Sequence, residues 1–104
     1  MVRIAVGGAI DKPKVAEAIK RIGGERVQVE IMSDIEAAMA VKNGRADYYI
    51  GACATGGGGA LAMAMALIGA TKCATLSMPG RPPKEQDVVK AFKEGKVAFG
   101  FTND

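Results

Sequence analysis

The chain has 104 residues, of which 49% are apolar, 24% are charged and 5% are aromatic. This length allows one domain, residues 1–104, and the composition is that of a folded protein rather than a disordered one. The formal net charge of +3 is spread along the chain without a basic cluster, so nucleic-acid binding is disfavoured. Because histidine is absent, histidine-based dyads, triads and the usual zinc sites are excluded, and we expect neither a metal nor a cofactor.

Two cysteines, Cys53 and Cys73, are too few for a disulfide framework. The apolar run at the N-terminus is too short for a signal peptide, and a turn ends it at once. A cytoplasmic location is therefore the expectation.

Strand-like and helix-like segments alternate along the whole chain. In chain order the predicted elements are strand 3–6, helix 12–22, strand 26–31, helix 35–42, strand 47–50, helix 60–68, strand 73–78, helix 84–93 and strand 96–101. Pro13 suits the first turn of a helix, and Gly23-Gly24 closes that helix. Ser33 followed by Glu36 has the spacing of a capping box, which also accounts for Asp34 as a residue of the helix start.

Five strands alternating with four helices indicate a parallel sheet with right-handed crossovers. The predicted fold class is a three-layer, wound α/β domain, Rossmann-like or flavodoxin-like, with strand order 2-1-3-4-5. This order puts the first helix on one face and the other three on the opposite face. A fifth helix normally completes the first face, but the chain ends at Asp104 without one.

Either a C-terminal segment of the family is lacking here, or another subunit covers that face. Helix 60–68 favours a homo-oligomer as well, because no charged residue lies between Gly56 and Ala70. Such a helix is buried on all sides or forms an interface, and it is too short to span a membrane.

The glycine-rich stretch after the third strand predicts an anion site. In wound sheets, ligands bind at the carboxyl ends of the strands where the winding reverses, here between strands one and three. Backbone N–H groups at the start of a helix favour a phosphate, carboxylate or enediolate there. The alternative explanation of the glycines is close packing without a ligand. The candidate ligand-binding residues are Gly7, Gly8, Asp11, Thr55, Gly56, Gly57, Gly58, Gly59, Ser77 and Arg81.

Cys53 is the candidate catalytic residue, because a thiol beside a helix N-terminus has a lowered pKa. The alternative is a small thiol that fills space. Cys73 starts the fourth strand at the opposite edge and is predicted to lie in the core. Asp11 is alternatively a helix cap and Arg81 a solvated loop residue. Tyr48 and Tyr49 are expected to face opposite layers of the sheet and to pack in the core on both sides.

Four segments of the stretch 34–100 form a recognisable pattern: Glu36-Ala37-Ala38-Met39, the run from Asp47 to Cys53, Thr55-Gly56 and the run from Glu94 to Gly100. In these segments the chain resembles the YhfU family of uncharacterised bacterial proteins. The association of that family with transport and catabolic gene sets implies a small-metabolite context and a membrane transport component as partner.

A second, more distant resemblance is to the ribose-5-phosphate isomerase B and galactose-6-phosphate isomerase family. It is carried by Cys53-Ala54-Thr55-Gly56-Gly57-Gly58, the alanine-rich helix 60–68 and Ala98-Phe99-Gly100. It implies Cys53 as a proton-transferring base and the following amides as an anion hole. The Asp-His pair and the ring-opening histidine of that family have no counterpart in this sequence.

Three functions follow from these observations. The first is a binding protein for a small phosphorylated or carboxylated metabolite. The second is an isomerase-like enzyme that uses Cys53 as its base. The third is a carrier domain of a sugar-transport system that is phosphorylated on Cys53. The absence of histidine favours binding over catalysis.

Overall fold

The computed structural model describes residues 1–8, 11–52, 59–77 and 84–102 of the chain. In these residues, all nine elements expected from the sequence are present. The strands are β1 (Val2–Gly8), β2 (Val27–Ile31), β3 (Tyr48–Ala52), β4 (Cys73–Thr75) and β5 (Ala98–Phe101). The helices are α1 (Lys12–Gly23), α2 (Asp34–Lys42), α3 (Gly59–Ile68) and α4 (Glu85–Lys93), and short 3-10 turns, Gly24–Arg26 and Ala70–Lys72, precede β2 and β4.

Local chemistry explains where the first two helices begin and end. Pro13 lies in the first turn of α1, and Gly24, with φ of 57°, ends that helix by donating its N–H to the carbonyl of Lys20. Ser33 caps α2, accepting a hydrogen bond from the backbone N–H of Glu36 at 3.2 Å. The predicted cap of α2 is therefore confirmed.

The five strands form one parallel sheet with the order β2-β1-β3-β5-β4, so the predicted α/β class is confirmed. The predicted order 2-1-3-4-5 is wrong at one edge, where β5 lies between β3 and β4. Ala98 and Phe99 of β5 are 0% and 2% exposed, one on each face of the sheet. A strand that is apolar on both faces suits an interior position, whereas three-residue β4, with half-exposed Ala74 and Thr75, suits the edge.

The helices divide two and two between the faces of the sheet. Residues of α2 and α3 pack around Tyr49 in the main core on one face. On the other face, α1 and α4 flank a groove of about 550 Å³, the α1/α4 groove, which is lined among others by Val15, Ile50 and Phe92. The predicted division of one helix against three is therefore wrong. In the observed order α4 crosses back from β4 to β5, so it covers part of the face for which a fifth helix was expected.

Helix α3 is only partly buried. Leu61 and Ala64 are fully buried, whereas Ala62, Met65 and Ala66 are exposed. The prediction that this apolar helix is buried on all sides is therefore wrong. The alternative, that α3 forms an interface with another subunit, stays a prediction. Within the described ranges, no helix combines the length and the apolar character that a membrane crossing requires.

Candidate functional site

The candidate site is the carboxyl edge of the sheet where β1 and β3 lie side by side. Their last residues are in register, with Gly7 opposite Gly51 and Gly8 opposite Ala52. From β1 the chain crosses to β2 on one side, and from β3 it crosses to β4 on the other. Because the two connections leave in opposite directions, the strands open a crevice between them, which is where wound sheets bind ligands. The corrected strand order leaves this switch point unchanged.

Gly8 is required at the end of β1 by its backbone conformation and its neighbour. Its φ is +101°, and a Cβ there would lie 2.5 Å from the carbonyl oxygen of Ala52. Both facts exclude a side chain at this position. The end of β1 therefore has no side chain at Gly8.

Gly7 and Gly51 are explained by a pair of side chains inside the protein. A Cβ on Gly7 would lie 2.7 Å from Oδ1 of Asp34, and one on Gly51 would lie 2.7 Å from the hydroxyl oxygen of Tyr49. These two glycines make room for Asp34 and Tyr49. Packing against Asp34 therefore accounts for Gly7.

Asp34 has a role that the sequence analysis missed. Its Oδ1 accepts hydrogen bonds from the backbone N–H of Gly8 at 2.5 Å and from the hydroxyl of Tyr49 at 2.7 Å. Ser33 serves as the helix cap, and Asp34 instead ties the start of α2 to β1 and β3. Because Asp34 takes the N–H of Gly8, that amide, predicted to bind a ligand, is already engaged. The available signals were the position of Asp34 after β2, beside the end of β1, and the predicted core packing of Tyr48 and Tyr49.

Tyr49 is 0% exposed and faces α2 and α3, whereas half-buried Tyr48 faces the opposite layer and contacts Phe92 and Phe99. The prediction that the two tyrosines face different layers is confirmed. A buried phenol needs a hydrogen-bond partner, and Asp34 provides it. The result is a rigid polar link beneath the crevice.

The start of α1 borders the same edge. Asp11 occupies the N-cap position with φ of 53°, but its side chain makes no capping hydrogen bond to the helix. Its carbonyl oxygen accepts a hydrogen bond from the N–H of Val15 at 3.0 Å. Lys12 reaches across to the β2–α2 connection, where its Nζ donates to the carbonyl of Met32 at 2.9 Å. The first turn of α1 is thus fixed to the neighbouring loop.

Ser77 lies at the end of the sheet beyond β4 rather than beside β1 and β3. It is 1% exposed, and its Oγ accepts the backbone N–H of Thr102 at 2.8 Å. The two hydroxyl oxygens are also hydrogen-bonded, 3.0 Å apart. Ser77 therefore fastens the end of β4 to the end of β5, and the structure does not bring it to the crevice.

The rest of the predicted site falls largely outside the described residues. Gly59 is the first residue of α3, so the glycine-rich loop does lead into that helix. The predicted site residues that lie outside the described ranges are Cys53, Thr55, Gly56, Gly57, Gly58 and Arg81.

Two groups with shifted pKa values lie at the opposite, amino edge of the sheet. Hydrogen bonds from the side chain and the backbone N–H of Arg3 lower the pKa of Asp47, and the two side chains form an ion pair at 3.2 Å. Burial raises the pKa of the Cys73 thiol, which donates to the carbonyl of Gly69 at 3.4 Å. Cys73 is a buried residue at the start of β4, as predicted, and neither group belongs to the candidate site.

Comparisons with known proteins connect the chain to one family. The family model described as "Protein of unknown function DUF2620" matches residues 2–104. Proteins named "Uncharacterized protein YhfU" from Escherichia coli K12, Escherichia coli O6:H1 and Shigella flexneri are each 43% identical to this chain over 102 residues. The match covers 98% of this chain and 86% of each relative.

No solved structure matches the chain. The predicted resemblance to sugar-phosphate isomerases finds no support among these matches, whereas the resemblance to YhfU is confirmed by both the family model and the relatives. The chain belongs to the DUF2620 family, together with the YhfU proteins.

Proposed function

We propose that this protein binds a small metabolite bearing a phosphate or carboxylate at the carboxyl edge of its sheet. The ligand would lie over the crevice between β1 and β3, held by backbone N–H groups of the loop 53–59. One observation carries the proposal. The chain leaves these two adjacent strands in opposite directions, and a glycine-rich segment lies at the end of each strand.

The electrostatics of α3 support an anion rather than a cation. The helix begins at Gly59 directly after the loop, and no acidic residue lies in its first turn to offset its dipole. Ten residues give the helix nearly three turns, which suffices for a partial positive charge at its start.

Asp34 limits how a ligand can be held. Because the carboxylate accepts the N–H of Gly8, the end of β1 provides shape rather than hydrogen-bond donors. We therefore assign the donors of the proposed site to the loop after β3 and to the start of α3. The setting that we propose is a transport or catabolic system that handles such metabolites.

Calorimetric titration with inorganic phosphate, a pentose phosphate and a hydroxycarboxylate tests the proposal. Thr55→Asp adds a negative charge to the loop, and we expect it to weaken binding at least about tenfold, or 1.4 kcal/mol. Gln28→Glu adds the same charge on exposed β2 and should leave binding unchanged. The proposal fails if no anion binds saturably to the wild-type protein, or if both variants bind as the wild type does.

Thiol alkylation against pH, followed by mass spectrometry, separates a binding protein from an enzyme that uses Cys53 as its base. Cys73 is an internal control, because burial raises its pKa and shields it. A Cys53 that reacts at a lower pH than a free thiol and is protected by phosphate would favour the isomerase alternative. An ordinary Cys53 with saturable anion binding would favour the binding protein.

A further inference from the structure

We propose that the α1/α4 groove is a second binding site, for a slender apolar carboxylate such as a medium-chain fatty acid. The apolar body would lie between the two helices and over the sheet, and the carboxylate would lie at Lys14 and Thr102. This second site does not rest on the anion site above, because the residues that line the groove belong mainly to α1, α4, β3 and β5 and not to the loop 53–59.

The width of the groove follows from the strand order. A crossover helix lies over the strands that it connects, so α2 and α3 are expected two strand spacings apart, about 10 Å. That distance is a normal helix–helix contact. By the same rule α1 lies over β2 and β1, and α4 lies over β5 and β4. Their expected separation is three spacings, about 14 Å.

This separation selects the kind of occupant. The expected separation exceeds a helix–helix contact by about 5 Å, which fits the thickness of an acyl chain or a flat ring. A helix inserted between α1 and α4 would need about two contact distances, or 16–20 Å. A helical segment of another protein is therefore too thick to reach the floor of the groove.

The lining of the groove is apolar along its length. Val15 and Ile19 of α1 form one wall, and Val88 and Phe92 of α4 form the other. Phe92 remains 46% exposed although its ring packs 4.6 Å from that of Phe99. The volume of about 550 Å³ lies within the range of small-molecule sites.

The carboxyl-edge end of the groove is polar and favours an anionic head. Lys14 is exposed there and forms no ion pair within the described part of the chain. Asp11 lies at the same end, but it already takes part in an interaction within the protein. The hydroxyl of Thr102, which is hydrogen-bonded to that of Ser77 at 3.0 Å, lines the same end of the groove. An exposed ammonium group and a hydroxyl at one end of an apolar groove match a carboxylate with a hydrocarbon tail.

The test is titration of the full chain with octanoate and with 1-octanol, followed by ligand-observed NMR and calorimetry. We expect saturable 1:1 binding of octanoate. Ala18→Phe fills the groove from α1 and should abolish this binding. Glu17→Phe places the same ring on the exposed side of α1 and should preserve it. If Ala18→Phe does not fold, as judged by circular dichroism, Val88→Phe fills the groove from α4.

A second pair of variants tests the head group. Lys14→Gln should weaken octanoate about threefold, the effect of one exposed charge pair, and leave 1-octanol unchanged. Lys20→Gln, on the same helix but outside the groove, should affect neither ligand.

Three results would overturn the inference. The first is octanoate binding that Ala18→Phe and Val88→Phe do not reduce. The second is equal binding of octanoate and 1-octanol. The third is the absence of saturable octanoate binding; if sedimentation then shows a dimer that Ala18→Phe dissociates, the groove belongs to a second copy of this chain. Thr55→Asp should leave octanoate binding intact, so failure of the anion site and failure of the groove are distinguishable.

Discussion

The two faces of the sheet are built differently. Under α2 and α3 many of the buried residues that surround Tyr49 are alanines: Ala5, Ala37, Ala38, Ala64 and Ala98, each 0% exposed. Under α1 and α4 the sheet carries large side chains, and the rings of Tyr48, Phe92 and Phe99 pack together without closing the surface. One face is a closed layer, and the other contains a groove.

The difference follows from the strand order. Helices two strand spacings apart contact each other and close the layer over alanines and over Tyr49, for which Gly7 and Gly51 make room. Helices three spacings apart leave a gap that aromatic rings fill only in part. The predictions that follow compare the two faces, from the largest expected effect on stability to the smallest.

Substitutions that enlarge a side chain should distinguish the two faces most clearly by their effect on the free energy of unfolding. Ala38→Leu adds three carbons to the closed layer, and we expect it to lower the free energy of unfolding by about 3 kcal/mol. Ala18→Leu adds the same atoms at the α1/α4 groove, where space is free, and should change stability by less than about 0.5 kcal/mol. Urea unfolding measures both, and equal losses would contradict the contrast between a closed and an open face.

The two tyrosines give a second matched pair. Tyr49→Phe removes a hydroxyl that donates to the Asp34 carboxylate under the closed layer, and we expect a loss of about 2 kcal/mol. Tyr48→Phe keeps the ring contacts on the open face and should cost less than about 0.5 kcal/mol. Thermal and urea unfolding check this pair. A Tyr49→Phe protein as stable as the wild type would show that the Asp34–Tyr49 link does not stabilise the fold.

Asp47, at the amino edge, should give a smaller and pH-dependent effect. The partnership with Arg3 lowers the pKa of Asp47 below its ordinary value of 3.8, so its stabilisation is present above that pH. It is lost as the pH falls through the lowered pKa. Asp47→Asn should therefore be less stable than the wild type at pH 7, with the difference vanishing in stronger acid. Urea midpoints across pH measure it, and Glu30→Gln on exposed β2 is the control. A difference that persists unchanged at about pH 2 would contradict this assignment.

The exposed side of α3 should contribute least to the stability of one chain. Met65 is 37% exposed, and Met65→Lys should change the free energy of unfolding of the monomer by less than about 0.5 kcal/mol. If α3 forms the predicted homo-oligomer interface, the same variant sediments as a smaller species than the wild type. Ile35→Lys, at a 55% exposed position on α2, is the control. An unchanged sedimentation coefficient for Met65→Lys would remove α3 as the interface.

The elements themselves follow from the sequence because their signals are local. Pro13, Gly24 and Ser33 act within a few residues of where they stand, so the bounds of α1 and α2 were predicted closely. Alternating and continuous apolar residues identified the five strands, and Gly7 and Gly8 marked the end of β1. The position of the crevice also followed, because it depends only on the first three strands and the direction of their connections.

Only the tertiary structure decided which strand lies between β3 and β4, because strand pairing depends on burial of both faces rather than on chain order. Because β5 lies between β3 and β4, α4 lies on the same face as α1, and the two helices form the α1/α4 groove. The link from Asp34 to Gly8 and Tyr49 was also beyond the sequence. It joins residues 26 and 15 positions apart through two hydrogen bonds, and no local pattern encodes contacts across that separation.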